Sequence, residues 1–542
     1  MTRSDWKAFG FLAAFSTVIL FFVSQDSFLY DLHSRVDSAW FFMCGKAWMN
    51  GLTPYVDFAD SKGPLLWLIY GLGYLIQHTN YLGVFWISCL WYSLTYFISY
   101  RIAGIFLKDS RKALACAILL TLVFFNPWFH NEIRAEDLCL LFLNLSLYRV
   151  CLLMYFDSVS HRILLSSFAI LGFCFGAILM IKFSIAAMQA VFIMCALAVL
   201  IKEKKNWWQP FLCGISGFLS ITLPFIILFL IKGNLAAFIQ EYFVKTLQTV
   251  QAVDADWCPG NLLLSTVQTD NPLLTYLLEW GDLIYSPKIL VVFATLVLGG
   301  LLFMKKAVRY RWMPLVVSVL VFALVIRHHT DYYFTSCSFL FIFLLIEILD
   351  SFSRKADRKT VIGAMVAASL IIPFHLLSYS FKVLIFNDNI NQRDFYRISY
   401  VMSQVDRPTL INAYDYERGF GILSESLPAG KYWTRQNGIT PEMRKEHEDL
   451  ILSGSADFII IDSNYFEDSE LINKQQLLDI GYVEYLHFGS SGNFILFSNK
   501  EDLDVPDNAT PSLMALFRKG PHLIDRVREQ AISQSRTMAP AF

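Results

Sequence analysis

Residues 57–76 read DFADSKGPLLWLIYGLGYLI, an apolar run preceded directly by Asp60 and Lys62. The run from Pro64 to His78 is about 15 residues long and contains two glycines, whereas a helix that crosses the roughly 30 Å core of a bilayer needs about 20 residues. Whether this run crosses the membrane determines the side on which every later loop lies. It therefore determines the topology of the chain and the compartment that holds Asp60 and Lys62.

The composition identifies a polytopic membrane protein. The chain has 542 residues, of which 56% are hydrophobic and 16% are charged, and its mean hydropathy is +0.48. A soluble protein of this length carries more charge, and apolar stretches long enough to cross a bilayer recur from residue 8 to residue 381. The net charge of −1 gives no support for a nucleic-acid partner.

The distribution of basic residues fixes the topology, because short cytoplasmic loops are rich in Lys and Arg. The strongly basic connections are 108–112, 161–162, 202–205, 305–311 and 353–359, together with the amino terminus. All of them lie in the cytoplasm only if residues 64–78 do not cross the membrane. We therefore predict a helix that lies along the outer interface, where Trp67, Tyr70 and Tyr74 favour that depth.

This topology predicts a polytopic α-helical membrane protein with its amino terminus inside and its carboxy terminus outside. The eleven predicted spans are 8–29, 81–106, 113–129, 138–156, 163–181, 184–201, 210–231, 287–304, 312–327, 333–350 and 360–381. The transmembrane module covers residues 1–381. A small extracytoplasmic α/β domain follows over 382–500, where alternating apolar segments and a Gly/Ser turn predict strands, and 501–542 form a polar tail.

Four outer segments gather charged residues at helix ends on one face of the membrane. They are the first loop (30–80), the second (130–137), the third (232–286) and the fourth (327–333). The candidate residues in them are Asp37, Asp60, Lys62, Glu132, Arg134, Glu136, His328 and His329, and Lys182 lies at an outer helix break. A carboxylate can remove a proton from a hydroxyl, and a cation can stabilise charge on a phosphate leaving group. The pattern favours chemistry on a phosphorylated lipid.

The first outer loop resembles that of the GT-C glycosyltransferases. The stretch RVDSAWFFMCGKAWMNGLTPYVDFADSKGPLLWLIYGL (35–72) is similar to bacterial relatives of protein O-mannosyltransferases and of lipid A aminoarabinose transferases. The shared pattern is an acid after the first helix, a helix that ends in G-x-x-P-Y, and an acid and a Lys before Pro and an apolar run. This chain departs from the frequent Lys-Pro-Pro by reading Lys-Gly-Pro.

The resemblance implies an inverting transfer of a sugar from a polyprenyl-phosphate donor to an acceptor hydroxyl. Asp37 would match the general base, and Lys62 the lysine that contacts the donor phosphate. Glu132 or Glu136 fits the acid of the second outer loop, and Arg134 and Lys182 are further phosphate contacts. The implied location is a bacterial inner membrane, with the active site and the α/β domain on the periplasmic side.

Some members of the family use a divalent metal cation, and the resemblance then implies Asp60 with His328 or His329 as its ligands. The sequence itself shows no dense ligand spacing. An ordinary interfacial role is the alternative for both histidines.

Each functional assignment has a simpler structural alternative. Asp37 is also a plausible helix cap, and Lys62 and Lys182 can extend toward the interface as anchors. Arg134 can pair with a neighbouring acid. The sugar and the acceptor, whether glycan, lipid or protein, stay open.

Two other functions compete with the transferase. A transporter or flippase of a lipid-linked sugar would line its path with charges, but transporters often contain paired repeats with broken helices at the bilayer midplane, and no repeat is evident. A non-catalytic membrane assembly factor would instead use the outer α/β domain as its working part.

Overall fold

The computed structural model describes residues 2–27, 36–126, 134–155, 160–203, 206–248, 287–306, 308–326, 331–355, 390–413, 419–434, 440–463, 465–468, 472–488 and 494–507. Predictions for Glu132, His328, His329, the eleventh span, most of the third outer loop and most of the tail lie outside these residues.

Helices dominate the part of the chain before residue 360. In chain order they are α1 (Arg3–Val23), α2 (Val36–Met49), α3 (Pro64–Ile76), α4 (Leu82–Leu107), α5 (Ser110–Leu119), α6 (Thr121–Phe124), α7 (Ala135–Tyr155), α8 (His161–Ile181), α9 (Phe183–Lys202), α10 (Trp208–Lys232), α11 (Leu235–Phe238), a π-helix (Ile239–Lys245), α12 (Pro287–Phe303), α13 (Met313–Ile326), a 3₁₀-helix (Asp331–Phe341) and α14 (Ile342–Lys355).

The apolar helices confirm a polytopic membrane protein. Within the described part of the chain, seven helices are long and apolar enough to cross a membrane, and three shorter apolar helices accompany them. The first ten predicted spans coincide with helical segments. One of them, 113–129, is not continuous, because the helix ends at Leu119 and resumes at Thr121, whose hydroxyl bonds the Tyr96 hydroxyl at 2.8 Å.

Local sequence signals set several helix boundaries. Thr2 and Asp5 form a capping box at the start of α1, which satisfies backbone N–H groups that have no partner within the helix. Pro64 occupies the first turn of α3, where its missing N–H costs nothing. The chain breaks at Lys182 between α8 and α9, with extended backbone angles of φ −154° and ψ 104°.

Packing divides the chain into two units. The first comprises Met1–Ser24, Ser88–Leu228 and Asp254–Ser380, and the second comprises Gln25–Ile87, Phe229–Val253 and Phe381–Phe542.

Small residues allow close helix packing within each unit. In the first unit, a Cβ on Gly172 of α8 would lie 1.9 Å from the Gly214 oxygen of α10. In the second, a Cβ on Gly45 of α2 would lie 2.5 Å from the Gly71 nitrogen of α3. Van der Waals packing between close backbones is a main source of helix association in membranes, so a larger side chain at Gly172 or Gly45 would force the helices apart.

The second unit contains the predicted α/β domain. Its helices are α15 (Ile390–Met402), α16 (Phe420–Leu423), α17 (Pro441–Leu452), α18 (Tyr465–Asp468) and α19 (Lys474–Asp479), and its strands are β1 (Thr409–Ala413), β2 (Leu427–Pro428), β3 (Phe458–Asp462), β4 (Val483–Phe488) and β5 (Phe494–Ser498). The strand order is β2-β1-β3-β5-β4. The first three strands are parallel, and β5 is antiparallel to β3 and β4.

The sheet has a well-packed apolar core. Ile411, Ile459, Leu477 and Phe497 are fully buried in one cluster. Apolar side chains on β1 and β3 are buried along nearly their whole length, with a burial pattern typical of central strands. The domain is therefore a folded α/β unit, as the alternating apolar segments of the sequence predict.

Candidate active site

Asp37 lies in the first turn of α2 and is partly exposed. A carboxylate in this position interacts favourably with the positive end of the helix dipole. Phe41 follows four residues later, so it lies on the same face of the helix, one turn further on.

The loop between α2 and α3 is held by local hydrogen bonds. The Asp57 carboxylate accepts from the Thr53 N–H at 2.6 Å, and the Tyr55 hydroxyl donates to the Lys62 carbonyl at 3.0 Å. Tyr55 has a positive φ of 66°, a conformation that L residues rarely adopt. Its ring centroid is 4.6 Å from that of Trp67, and burial raises the pKa of its hydroxyl well above the usual value. Asp57 and Tyr55 thus shape the loop that carries Asp60 and Lys62.

Asp60 and Lys62 are loosely associated. The Asp60 Oδ1 accepts from the Ser61 N–H at 2.6 Å, and the Lys62 ammonium donates to the Ser61 hydroxyl at 3.0 Å. The distance between Lys62 Nζ and Asp60 Oδ1 is 4.0 Å, and the two side chains are 20% and 12% exposed. At 4.0 Å the ammonium makes no hydrogen bond to the carboxylate, so the lysine is not tightly bound to it.

Lys62 also reaches the helix that carries Asp37. Its Nζ lies 5.8 Å from the centroid of the Phe41 ring, within the range of a cation–π contact. Phe41 lies one helical turn after Asp37, so the Lys62 ammonium contacts the helix that carries Asp37 near its first turn. A base and a phosphate-binding cation need such proximity to act on one substrate.

Glu136 and Lys182 meet in the first unit. The Lys182 ammonium donates to the Glu136 carboxylate, and the side chains are 10% and 2% exposed. It also donates to the Tyr333 hydroxyl at 2.9 Å and lies 4.1 Å from the centroid of that ring. Lys182, predicted as a phosphate contact or an anchor, is therefore a buried, ion-paired residue.

Arg134 and Asp137 form the start of α7. The Arg134 N–H donates to Asp137 Oδ2 at 3.0 Å, and the Tyr92 hydroxyl donates to Asp137 Oδ1 at 2.5 Å. Asp137 thus stabilises the helix that carries Glu136. The role of the Arg134 side chain as a phosphate contact stays a prediction.

The described residues give no support for the predicted metal site. Of the predicted ligands, the structure describes only Asp60, and across the described ranges no group of three or more His, Cys, Asp and Glu residues could hold a metal ion. One carboxylate whose oxygen accepts from Ser61 does not make a metal site.

Sequence reasoning did not identify the partners that hold these residues. Tyr333 follows the fourth outer loop, where an aromatic residue is typical of an interface anchor, yet its hydroxyl accepts from Lys182. Tyr92 was not singled out, although it bonds Asp137. Tyr333 lies near a helix end and Tyr92 lies within α4, and a tyrosine hydroxyl indicates a polar neighbour but not which one.

Comparison with known proteins rests on structure rather than sequence. No protein-family model and no curated protein sequence matches the chain. The crystal structure of ArnT from Cupriavidus metallidurans bound to undecaprenyl phosphate is similar to it with a TM-score of 0.52 at 12% identity, over 93% of this chain and 100% of that one. The apo structure of the same enzyme gives a TM-score of 0.51 at 11% identity, over 92% and 98%.

This chain has the GT-C fold. A third structure, the apo oligosaccharyltransferase of Archaeoglobus fulgidus, has a TM-score of 0.42 at 11% identity over 94% of this chain and 77% of that one. The GT-C fold and the apolar helices together make the chain a multi-pass membrane protein. At these identities the likeness establishes the GT-C fold but not the reaction.

Proposed function

We propose that the chain is an integral-membrane inverting glycosyltransferase that moves a sugar from a polyprenyl-phosphate donor to an acceptor hydroxyl at the extracytoplasmic face. The observation that carries the proposal is the position of the Lys62 ammonium over Phe41, one helical turn from Asp37. In a GT-C fold this arrangement supplies a base and a phosphate-binding cation next to each other.

The proposed chemistry uses the two groups in one displacement. Asp37 removes the proton from the acceptor hydroxyl, and the resulting oxygen attacks the anomeric carbon from the side opposite the phosphate. The bond between the anomeric carbon and the phosphate oxygen breaks, and the configuration at that carbon inverts. Lys62 stabilises the negative charge on the departing lipid phosphate.

Lys62 is suited to this role because its own contacts are weak. A neutral hydroxyl and an aromatic face hold the ammonium, and the nearest carboxylate oxygen is 4.0 Å away. A non-bridging phosphate oxygen can therefore bind the ammonium without displacing a strong ion pair.

The remaining predicted residues take supporting roles. We assign Glu136 as the second acid, with Lys182 and Tyr333 holding it in place, and Arg134 as a second phosphate contact. Glu132 stays the alternative to Glu136. The assignment of Glu136 follows from the family resemblance, with its ion pair to Lys182 holding the carboxylate in place, and that of Arg134 follows from its positive charge in the second outer loop.

The lipid partner and the location complete the proposal. ArnT was solved with undecaprenyl phosphate, which supports a polyprenyl-phosphate lipid as the donor carrier here. We place the chain in a bacterial inner membrane, with Asp37, Lys62 and the α/β domain on the periplasmic side.

Sugar transfer by the purified chain tests the proposal. The natural donor is first named by mass spectrometry of the lipid that copurifies with the protein, and transfer is then followed with that donor. We expect Asp37→Asn to lower kcat by about 10²- to 10⁴-fold, which is the usual contribution of a general base. The anomeric configuration of the product, read by NMR, is expected to be opposite to that of the donor.

Asp57→Asn is the matched control. It makes the same chemical change in the same loop, but its amide oxygen can still accept from the Thr53 N–H. We expect near-normal turnover. Asp37→Asn protein that folds normally and keeps near-normal kcat would show that the base is another residue.

A further inference from the structure

A short segment of the α/β domain contacts three parts of the second unit that lie near the proposed site. We call Ala429–Thr434, which follows β2, the bracing segment. It is fixed to the sheet, because the Ala429 N–H donates to the Leu410 carbonyl at 3.1 Å and the Asn412 N–H donates to the Trp433 carbonyl at 2.7 Å. The segment therefore shares the rigidity of β1.

The first contact is with α2, the helix that carries Asp37. The rings of Trp433 and Trp40 are 6.1 Å apart, both side chains are buried, and Trp40 lies three residues after Asp37, on the same side of the helix.

The neighbouring α16 adds to this contact. The fully buried Lys46 donates to the Gly421 carbonyl at 2.6 Å. A Cβ on Gly421 would lie 2.4 Å from the Met43 methyl carbon. Helix α2 is thus packed against the α/β domain along its length, through Trp40, Met43 and Lys46.

The second contact is with the loop that carries Asp60 and Lys62. The Ala59 N–H donates to the Lys431 carbonyl at 3.1 Å. Ala59, Tyr432 and Met443 also form a small apolar cluster. This backbone bond fixes the residue directly before Asp60.

The third contact is with the π-helix, and it is charged. The Tyr432 hydroxyl donates to Glu241 Oε2 at 2.7 Å and accepts from the Lys245 ammonium. Lys431 Nζ lies 3.4 Å from Glu241 Oε1. Burial raises the pKa of Tyr432, and the hydrogen bond to Glu241 raises it further, so the hydroxyl stays a neutral donor. Short π-helices occur frequently at functional sites.

We propose that the bracing segment positions the Asp37 helix and the Asp60–Lys62 loop, so that the α/β domain is a structural part of the active site rather than an acceptor-recruiting appendage. The expected effect on kcat rests on the proposed function, whereas the expected effect on hydrogen exchange does not. The residues of the bracing segment are positioning residues. Displacing a reacting group by about 1 Å costs about 10²-fold in rate, so loosening the brace lowers kcat.

Tyr432→Phe tests the brace in the full-length chain in lipid nanodiscs. The variant keeps the ring but removes the hydroxyl that joins Glu241 and Lys245. We expect amide hydrogen exchange over 57–62 and 239–245 to become about tenfold faster, since these amides lose a support of their folded state. We also expect kcat to fall about tenfold, with KM for the lipid donor nearly unchanged.

Tyr485→Phe is the control in the same domain. It removes a hydroxyl that donates to the Lys500 carbonyl at 2.6 Å, and it lies on β4, away from the bracing segment in the strand order. We expect no change in amide hydrogen exchange over 57–62 and 239–245, and no change in kcat. Lys431→Met is the second variant if Tyr432→Phe does not fold, because it removes the ammonium beside Glu241 and leaves the tyrosine in place.

The two readouts separate this proposal from the proposed function. Faster exchange in a chain that transfers no sugar from any donor would keep the brace and reject the transferase. Unchanged exchange over 57–62 and 239–245 in an active enzyme would overturn the brace. Faster exchange with unchanged kcat would also overturn the positioning role.

Discussion

Lys182 and Lys62 each stand immediately ahead of an apolar helix, yet their surroundings differ. Lys182 is buried, ion-paired with Glu136 and hydrogen-bonded to Tyr333. Lys62 is twice as exposed, 20% against 10%, and has a hydroxyl and an aromatic face as its nearest partners. The comparison shows that the same residue type before a helix serves as a structural ion pair in one unit and as a loosely held cation in the other.

The difference predicts opposite responses to neutralising the two lysines. Removing one partner of a buried ion pair leaves an uncompensated charge, which costs far more than the pair itself contributes. Removing a loosely held cation costs little stability but takes away an interaction with an anionic substrate.

The largest expected effect is on stability, in Lys182→Met. We expect it to lower the free energy of unfolding by about 3–5 kcal/mol, because Glu136 is left buried without its cation. The measurement is unfolding of the purified protein in mixed micelles by titration with SDS. The double variant Lys182→Met with Glu136→Gln removes both charges and is expected to recover most of the loss. A single variant as stable as wild type would mean that Glu136 has another sufficient partner.

The next effect is on activity, in Lys62→Met. We expect kcat/KM for the polyprenyl-phosphate donor to fall about 10²-fold, the usual cost of removing one group that stabilises developing charge, with stability changed by less than about 1 kcal/mol. Steady-state kinetics and the same SDS titration measure both quantities. Lys62→Arg keeps the charge and is expected to retain part of the activity. Loss of stability comparable to that of Lys182→Met would erase the distinction between the two lysines.

Tyr333→Phe makes a smaller change at the buried lysine. It removes a hydroxyl that accepts from Lys182 at 2.9 Å but keeps the ring over which the ammonium lies. We expect a loss of about 1 kcal/mol in the free energy of unfolding, as is typical for one hydrogen bond. A loss as large as that of Lys182→Met would show that the tyrosine, not Glu136, is the main partner.

The smallest effect is expected at an exposed pair in the α/β domain, Lys500 with Asp457. Their atoms are 2.7 Å apart, but Lys500 is 42% exposed. Burial alone would raise the pKa of Asp457, but the bonds from Lys500 and Thr409 outweigh it and lower the pKa below its ordinary value of 3.8. The carboxylate therefore adds stability above that value, and the contribution is lost as the pH falls through the depressed folded-state pKa.

Asp457→Asn tests this expectation. The variant should be less stable than wild type at pH 7 by no more than about 1 kcal/mol, and the difference should shrink as the pH falls below about 4. Thermal unfolding at several pH values measures it. A difference that grows on acidification would contradict the sign of the pKa shift.

Much of the fold follows from the sequence, because hydropathy and turn signals act locally. The helix break at Lys182, the start of α3 at Pro64 and the strands over 409–413 and 458–462 lie where the pattern predicts them. The interruption of the helix at Leu120 is not predicted, because an apolar run gives no sign that Thr121 will bond Tyr96.

The site is less predictable, because its contacts join residues far apart in the chain. Glu136, Lys182 and Tyr333 meet across three separate helical segments, and Glu241 meets Tyr432 across 191 positions. The sequence indicates that such residues lie at helix ends or in outer loops, but only the tertiary packing determines which of them touch. The roles of Asp37, Asp60 and Lys62 stay predictions, and one contiguous stretch of the sequence carries all three.

The π-helix over Ile239–Lys245 has a consequence for comparing this chain with distant relatives. A π-turn accommodates one residue more than an α-turn, so a relative with regular α-helix here will align only with a single-residue gap between Phe238 and Thr246. Engineering that deletion would convert the turn to α-helix and leave the residues beyond it in their present orientation. Whether a homologue has the extra residue therefore decides whether Glu241 and Lys245 keep the spacing at which they pair here.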